Sequence, residues 1–227
     1  MKHFLVFGSH PKLSRAEFLA SRPHAAESAI FLEKAALIDD PAWSGEELIR
    51  QLGGTVKLGD VIWETEGPTL DAQALADWMM QNPRGGKVLF GFSVYGGHTA
   101  LKKRLEKLPV ALKRALKTQG KSVRWVTSEK GQPLSPAAVT KLKLTSQGYD
   151  FVLLVHENKI AVGLTTHAQD ADAWSLRDYG RPARSAKSGM LPPKLARMMV
   201  NLAQVPEGGT LFDPFCGSGT MLMEAAL

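Results

Sequence analysis

The chain has 227 residues, 44% of them hydrophobic and 22% charged, with 28 Lys+Arg, 22 Asp+Glu and a single cysteine. That balance is ordinary for a globular protein. No apolar run approaches the roughly 18 residues needed to span a bilayer, and the start, Met1 to Phe7, is too short and too soon interrupted for a signal peptide. One cysteine excludes an internal disulfide and predicts a reducing, cytoplasmic setting.

The charge is uneven along the chain. Residues 1–80 carry seven Lys/Arg against twelve Asp/Glu, whereas residues 81–227 carry 21 against ten. A basic back half behind an acidic front half points to a polyanion partner for one region.

Lys2–Phe7 is a predicted strand, Ser14–Ala20 a helix, and Ala29–Leu32 with Ala35–Ile38 a hairpin turning at Glu33-Lys34. Ser44, with Glu47 three residues on, has capping-box spacing and opens a helix that stops at Gly53-Gly54. Val56–Trp63 is the next strand. The order β-α-β-β-α-β is that of a ferredoxin-like unit.

Gly67-Pro68 breaks the pattern, and Leu70–Met80 resumes it as a helix. Asn82 to Gly86 is a turn before the strand Lys87–Val94. Thr99–Gln119 is helical with an interruption at Pro109, which cannot donate to the helix ladder. Val123–Thr127 is a strand, and Ser135–Ser146 a helix with Ser135 as its N-cap and Pro136 in its first turn. Phe151–Val155 and Lys159–Leu164 form a second hairpin. Residues 166–189 are polar and irregular and read as a linker. Pro192-Pro193 then starts the helix Lys194–Ala203, and Pro206 to Gly209 turns the chain into a last strand, Gly209–Phe212.

That strand delivers Asp213 to the run Asp213-Pro214-Phe215-Cys216-Gly217-Ser218-Gly219-Thr220, with a helix opening at Thr220. Strand, acidic residue, glycine turn and helix present backbone N–H groups to an anionic or zwitterionic ligand. A P-loop needs a lysine after the second glycine, where Thr220 stands. A dinucleotide fingerprint needs a third glycine where Leu222 stands. The spacing from Asp213 to Gly217 suits S-adenosylmethionine instead, with the carboxylate and loop amides facing the methionine ammonium and carboxylate. A glycine turn without a ligand is the plain alternative.

Asp-Pro-Phe-Cys-Gly-Ser-Gly-Thr resembles the first motif of amino-group methyltransferases acting on nucleic-acid bases. The (Asp/Asn)-Pro-Pro-(aromatic) catalytic motif of such enzymes is absent from these residues, since Pro192-Pro193 lies between Leu191 and Lys194. Leu176 to Arg184, then Gly189 to Ala203, then the loop, resembles the THUMP-domain tRNA guanine-N2 methyltransferases of guanosine-10 type. The resemblance is dense over residues 176–227, weaker over 87–165 through Ser122 to Val126 and Leu134 to Lys141, and rests over 1–80 on element order. Where archaeal members have His-Pro, this chain has Ser185 to Ser188, which leaves the target position in tRNA open.

The resemblance implies an α/β chain (α+β in its N-terminal part) that binds tRNA and S-adenosylmethionine. A ferredoxin-like domain, 1–66, would precede a THUMP-type RNA-binding domain, 67–168. A linker, 169–189, would lead to the first strand and helix of a Rossmann-like methyltransferase domain, 190–227. Cofactor contact falls to Asp213, Gly217 and Gly219, supported by Phe215, Ser218 and Thr220. Pro193 reads equally as a pocket residue or as an ordinary first-turn proline. Cys216 reads as packing rather than a nucleophile.

The basic run Lys102, Lys103, Arg104, Lys107, Lys113, Arg114, Lys117, Lys121 and Arg124 has Glu106 as its one acid, and Lys141 and Lys143 follow on the next helix. Like charges three and four apart repel by about 0.2–0.5 kcal/mol per pair, which phosphates would relieve. A solvated helix face is the alternative. Arg177, Arg181, Arg184 and Lys187 either touch tRNA or dock domains. The histidines lack ligand spacing, so no metal is expected. The five tryptophans are expected as core or interface anchors.

Residues from about 205 onward are expected to pack poorly, because a parallel strand without neighbours leaves its ladder groups unpaired. The chain is expected to bind RNA without methylating it. A non-catalytic RNA-binding module and a DNA amino-methyltransferase are the competing classes.

Overall fold

The computed structural model describes residues 1–128, 132–181 and 190–227. Its strands are β1 (Lys2–Phe7), β2 (Ile30–Phe31), β3 (Ala35–Asp39), β4 (Thr55–Thr65), β5 (Val88–Gly96), β6 (Val123–Val126), β7 (Tyr149–His156) and β8 (Lys159–Ala168). They form one mixed eight-stranded sheet in the order β2-β3-β1-β4-β8-β7-β5-β6. β5 runs parallel to both β6 and β7, and every other pairing of the described strands is antiparallel. The two segments expected as separate domains share this sheet, because β4 pairs β8 from Lys57–Ala168 to Thr65–Ile160.

The helices are α1 (Pro11–Ser21), α2 (Gly45–Gln51), α3 (Ala72–Gln81), α4 (Thr99–Leu105), α5 (Leu108–Thr118), α6 (Pro136–Lys141), α7 (Ala171–Asp178), α8 (Pro193–Ala203) and α9 (Thr220–Ala225). Alternation along the strands decides which layer each residue joins. Phe151, Leu153 and Val155 of β7 pack with Ile160, Val162 and Leu164 of β8 under Leu75 and Met79 of α3 and Leu112 and Leu116 of α5. Val152 and Leu154 face the other way, toward Phe4, Val6 and Leu37. β7 is therefore apolar on both faces, as a central strand must be. At the other end of the sheet Leu5, Phe7 and Leu58 pack against Phe18 of α1, Leu48 of α2 and Leu52 just after it. Removing a ring such as Phe18 or Phe151, both fully buried, would cost about 3–5 kcal/mol.

The Ser44 cap forms as expected, with its side chain accepting from the Glu47 N–H. Ser135 likewise caps α6 through the Ala138 N–H. The interruption near Pro109 separates α4 from α5, with the proline in the first turn of α5.

Four expectations need correction. The first helix begins at Pro11 rather than Ser14, because proline is tolerated where the N–H has no intrahelical partner. Helix α6 stops at Lys141 rather than Ser146, since Lys143 adopts φ 50° and turns the chain. The stretch 166–189 is not irregular throughout. β8 continues to Ala168, and α7 follows with Asp170 Oδ1 accepting from the N–H groups of Asp172 and Ala173. Finally, 209–212 forms no strand: among the described residues no neighbour offers it a ladder, and Phe212 is 84% exposed. No helix of the described residues is long and apolar enough to cross a membrane.

Candidate functional site

The glycine loop turns tightly on itself. The Phe215 N–H donates to Asp213 Oδ1 at 2.9 Å, and the Gly219 N–H donates to the Cys216 carbonyl at 2.7 Å. Gly217 and Gly219 sit at φ 50° and 75°, the left-handed region where a side chain is strained. Nothing approaches within 4 Å of the position a Cβ would take at Gly219, so the loop backbone there is open to a ligand. Gly219 caps α9, whose first residue, Thr220, is buried. Phe215 and Cys216 are exposed beside the turn. Asp213, Phe215, Gly217, Ser218, Gly219 and Thr220 thus lie together in one short loop.

The loop is held from behind by residues that local patterning does not reveal. Arg181 donates from Nη1 to Thr220 Oγ1 at 2.6 Å and from Nη2 to Ser218 Oγ at 3.2 Å. Its buried Nε has no partner among the described residues. One turn further on, buried Glu224 accepts at Oε2 from Arg177 Nη1 at 2.9 Å and Arg197 Nε at 3.2 Å. The Arg177 guanidinium also lies 3.5 Å from the Trp174 ring centroid. Burial lowers the pKa of Arg177, against the pull of Glu224, and burial with the nearby Arg177 charge lowers that of Lys194. Arg177 thus ties α7 to α9 through Glu224. Arg184 and Lys187 lie outside the described residues, as do Ser185 to Ser188.

Pro193 occupies the buried first turn of α8, as an ordinary N-terminal proline does. It lines a separate cavity of about 350 Å³ with Ser9, His10, Trp174, Tyr179 and Lys194. Its packing is with these residues, and no hydrogen bond ties it to the glycine turn.

The basic residues stand on a different part of the molecule. Lys102, Lys103, Arg104, Arg114, Lys117, Lys121, Arg124, Lys141 and Lys143 are exposed and Lys113 is half-buried. None of them forms an ion pair among the described residues. α4 and α5 are anchored beneath by Leu101, Leu105, Leu112 and Leu116, whereas α6, which carries Lys141, packs through Val139 on the opposite face of the sheet, with Leu89 and Val126. A cleft of about 480 Å³ opens beside α4 and α5, lined by Phe92, Lys102, Glu106, Pro109, Trp125 and neighbouring residues.

The tryptophans vary in setting. Trp174 is buried, Trp78 meets Tyr149 and Phe151 edge-on, and Trp43 stacks on His3 at 4.3 Å. Trp125 is half-buried and faces the cleft. Among the described residues no group of three His, Cys, Asp or Glu side chains is placed to hold a metal.

Comparison with known proteins bears on this geometry. Residues 181–227 match the model of the RMKL-like methyltransferase domain. The tRNA (guanine(10)-N2)-dimethyltransferase of Methanocaldococcus jannaschii is 37% identical over 92 residues, covering 38% of this chain and 24% of that protein. The enzyme of the same name from Methanothermobacter thermautotrophicus is 56% identical over 39 residues, covering 17% of this chain and 12% of that protein. The chain therefore spans a quarter or less of these curated relatives. The crystal structure of TrmN from Thermus thermophilus superposes with a TM-score of 0.53 at 20% identity, over 100% of this chain and 61% of that one, which shows a shared fold. The C-terminal segment, where the loop, Arg181 and Glu224 meet, is the part similar to a methyltransferase domain.

Proposed function

We propose that these residues are the tRNA- and donor-binding part of an S-adenosylmethionine-dependent tRNA guanine-N2 methyltransferase. The loop from Asp213 to Thr220 carries this reading: two glycines at positive φ, an acidic residue before them and a helix after them. Likeness of the surrounding segment to tRNA (guanine(10)-N2)-dimethyltransferases supports it.

The residues present fit the amino-acid end of the donor. Asp213 Oδ1 is taken by the Phe215 N–H, which leaves its second oxygen to face an ammonium. The open backbone at Gly219 lets a carboxylate approach the loop N–H groups without meeting a side chain. Phe215 offers an exposed ring beside them. Bound there, the donor supplies an electrophilic methyl group. This chain's loop orients it, and Arg181 fixes the hydroxyls of Ser218 and Thr220 behind it.

The RNA side of the proposal is the set of basic side chains from Lys102 to Arg124, with Lys141 and Lys143. Unpaired cations are the footprint of phosphate binding; those of α4 and α5 stand over one face of the sheet, and Lys141 of α6 stands over the other. In domain terms, 1–66 would be ferredoxin-like, 67–168 THUMP-type, and 190–227 the opening of a Rossmann-like methyltransferase domain. The catalytic (Asp/Asn)-Pro-Pro-(aromatic) motif is not among these 227 residues, so the chain by itself binds RNA and does not methylate it.

A competition assay tests the RNA reading. The chain, bound to labelled tRNA, is challenged with unlabelled tRNA or duplex DNA of equal phosphate concentration. Displacement by tRNA alone supports the proposal; equal or preferential displacement by duplex DNA favours a DNA amino-methyltransferase. Detectable methyl transfer by residues 1–227 would refute the division between binding and catalysis.

A further inference from the structure

We infer that Glu17 and Asn201 are positioning residues that lock α8, the helix leading to the glycine loop, onto the sheet-bearing body, so that the loop sits at a fixed distance from the basic face. The inference rests on the proposed function for the meaning of those two sites, and on geometry alone for the lock.

Glu17 of α1 is completely buried, an unusual place for a carboxylate. Its two oxygens accept from the backbone N–H groups of Gly53 and Gly54, each at 2.8 Å, and Oε1 also accepts from Asn201 Nδ2 at 2.7 Å. The same amide of Asn201 donates to the Gln51 carbonyl at 2.9 Å. One α8 side chain therefore ties together α1, the end of α2 and the turn into β4. Both ends of α8 are fastened in the same way. Lys194 Nζ donates to Gln169 Oε1, and Gln169 Nε2 donates in turn to the Gly53 carbonyl at 3.2 Å. At the other end Gln204 Nε2 donates to the Ala20 carbonyl at 2.9 Å.

Between these bonds the backbones approach too closely for a side chain. A Cβ on Gly53 would stand 2.4 Å from the Lys194 carbonyl oxygen, and one on Gly54 would stand 2.3 Å from Ser14 Oγ and 2.8 Å from Met198 Sδ. Neither glycine has a positive φ, so it is the seating of α8, rather than local backbone conformation, that excludes alanine at Gly53. Ala196 and Met198 are buried in this seat. Downstream, Glu224 grips Arg197 of the same helix and so carries the lock into α9 behind the loop. The body beneath is continuous with the basic face through the β4–β8 pairing and the core under α5. Every link from Glu17 to the glycine loop on one side, and to Lys113 on the other, is packed or hydrogen-bonded.

The test is the distribution of distances between two spin labels. In a Cys216→Ser background, one label is placed at Met199→Cys on the exposed side of α8 and one at Gln81→Cys at the end of α3. The parent should give a single narrow distribution. Asn201→Ala and Gly53→Ala, which both leave the Glu17 carboxylate in place, should at least double its width while still unfolding cooperatively. Glu17→Gln, which puts an amide NH₂ against N–H donors, should do the same if it folds. The unlabelled variants should bind tRNA within twofold of wild type, since the lock does not touch the basic face. A broad distribution in the parent, or unchanged widths in both Asn201→Ala and Gly53→Ala, overturns the inference. So does a parallel loss of tRNA affinity, which would mean that the residues act through the whole fold. The distances need neither tRNA nor methyl donor, so their failure leaves the functional reading standing, and absence of RNA binding by the parent leaves the lock standing.

Discussion

Arg181 holds the Thr220 hydroxyl at 2.6 Å, joining a residue three positions beyond α7 to the first residue of α9 across 39 positions of sequence. With its bond to Ser218 the guanidinium braces both hydroxyls of the turn. If that loop receives the methyl donor, its shape before binding depends on this brace. Arg181→Ala should weaken S-adenosylmethionine binding on the order of tenfold, the worth of a lost charge-assisted hydrogen bond, as read by calorimetric titration. Arg181→Lys should recover little, because an ammonium lacks the planar fork that reaches both hydroxyls. Unchanged affinity in Arg181→Ala would show that the loop needs no brace.

The sheet contains a buried ion pair whose loss should be felt throughout. Lys57 Nζ on β4 reaches Asp150 Oδ2 on β7 at 2.9 Å, and both side chains are essentially inaccessible. Thr165 Oγ1 donates to the same oxygen at 2.6 Å, while Asp150 Oδ1 has no partner among the described residues. Asp150→Ala strands a lysine charge in the core and should cost about 3–5 kcal/mol, measured by urea denaturation. Replacing both partners together, as Lys57→Met with Asp150→Leu, should cost far less than Asp150→Ala alone. A double replacement as damaging as the single one would contradict this account of the pair.

RNA binding should show the salt dependence of phosphate contacts. If the exposed cations of α4, α5 and the turn after α5 each neutralise a phosphate, then log affinity falls with log salt by about 0.7–0.9 per contact. Changing Lys103, Lys117 and Lys121 to Gln should lower tRNA affinity and flatten that slope by about two to three. Fluorescence anisotropy at several salt concentrations reads both. An unchanged slope would make this face a solvated helix surface.

Glu17 should leave a mark on stability against pH. Burial pushes its carboxyl above the ordinary value of 4.5, against the opposing pull of Gly53, Asn201, Gly54 and the Arg197 charge. With the folded value raised, the folded state keeps the proton in a window where the unfolded chain has released it. Between the unfolded and folded values, Glu17's contribution therefore falls as pH rises, and it is complete below that window. Glu17→Gln does not titrate. The stability of wild type minus that of the variant, from urea denaturation between about pH 4 and about pH 7, should decline with rising pH and then level off. A difference that rises with pH would reverse the sign.

Signals that lie within a few residues of each other were readable in the sequence. Ser44 with Glu47, Ser135 with Ala138, and Pro109 at the break between α4 and α5 are each settled by local backbone chemistry. The glycine loop was legible for the same reason, since Asp213 to Thr220 is one turn. Asp170 carried a cap signal too, but the charges around it read as linker and α7 was missed. The bonds that organise the site are of another kind. Glu17 and Asn201 are 184 residues apart, Lys57 and Asp150 are 93 apart, and Arg177 and Glu224 are 47 apart. Such partners are chosen by how the sheet and helices close on one another, which no local pattern encodes. The strand expected at 209–212 fails on the same ground, for a strand exists only where a neighbour pairs with it.

The central claim is that Asp213 to Thr220 cradles a sulfonium methyl donor for use on RNA. Its most direct test supplies unmodified tRNA and methyl-labelled S-adenosylmethionine to the longest product of the gene that contains residues 1–227, followed by nucleoside analysis. The account predicts label in N2-methylated guanosine, lost when Asp213 is changed to Ala. Label appearing on adenine or in duplex DNA, or no label with tRNA demonstrably bound, would contradict it.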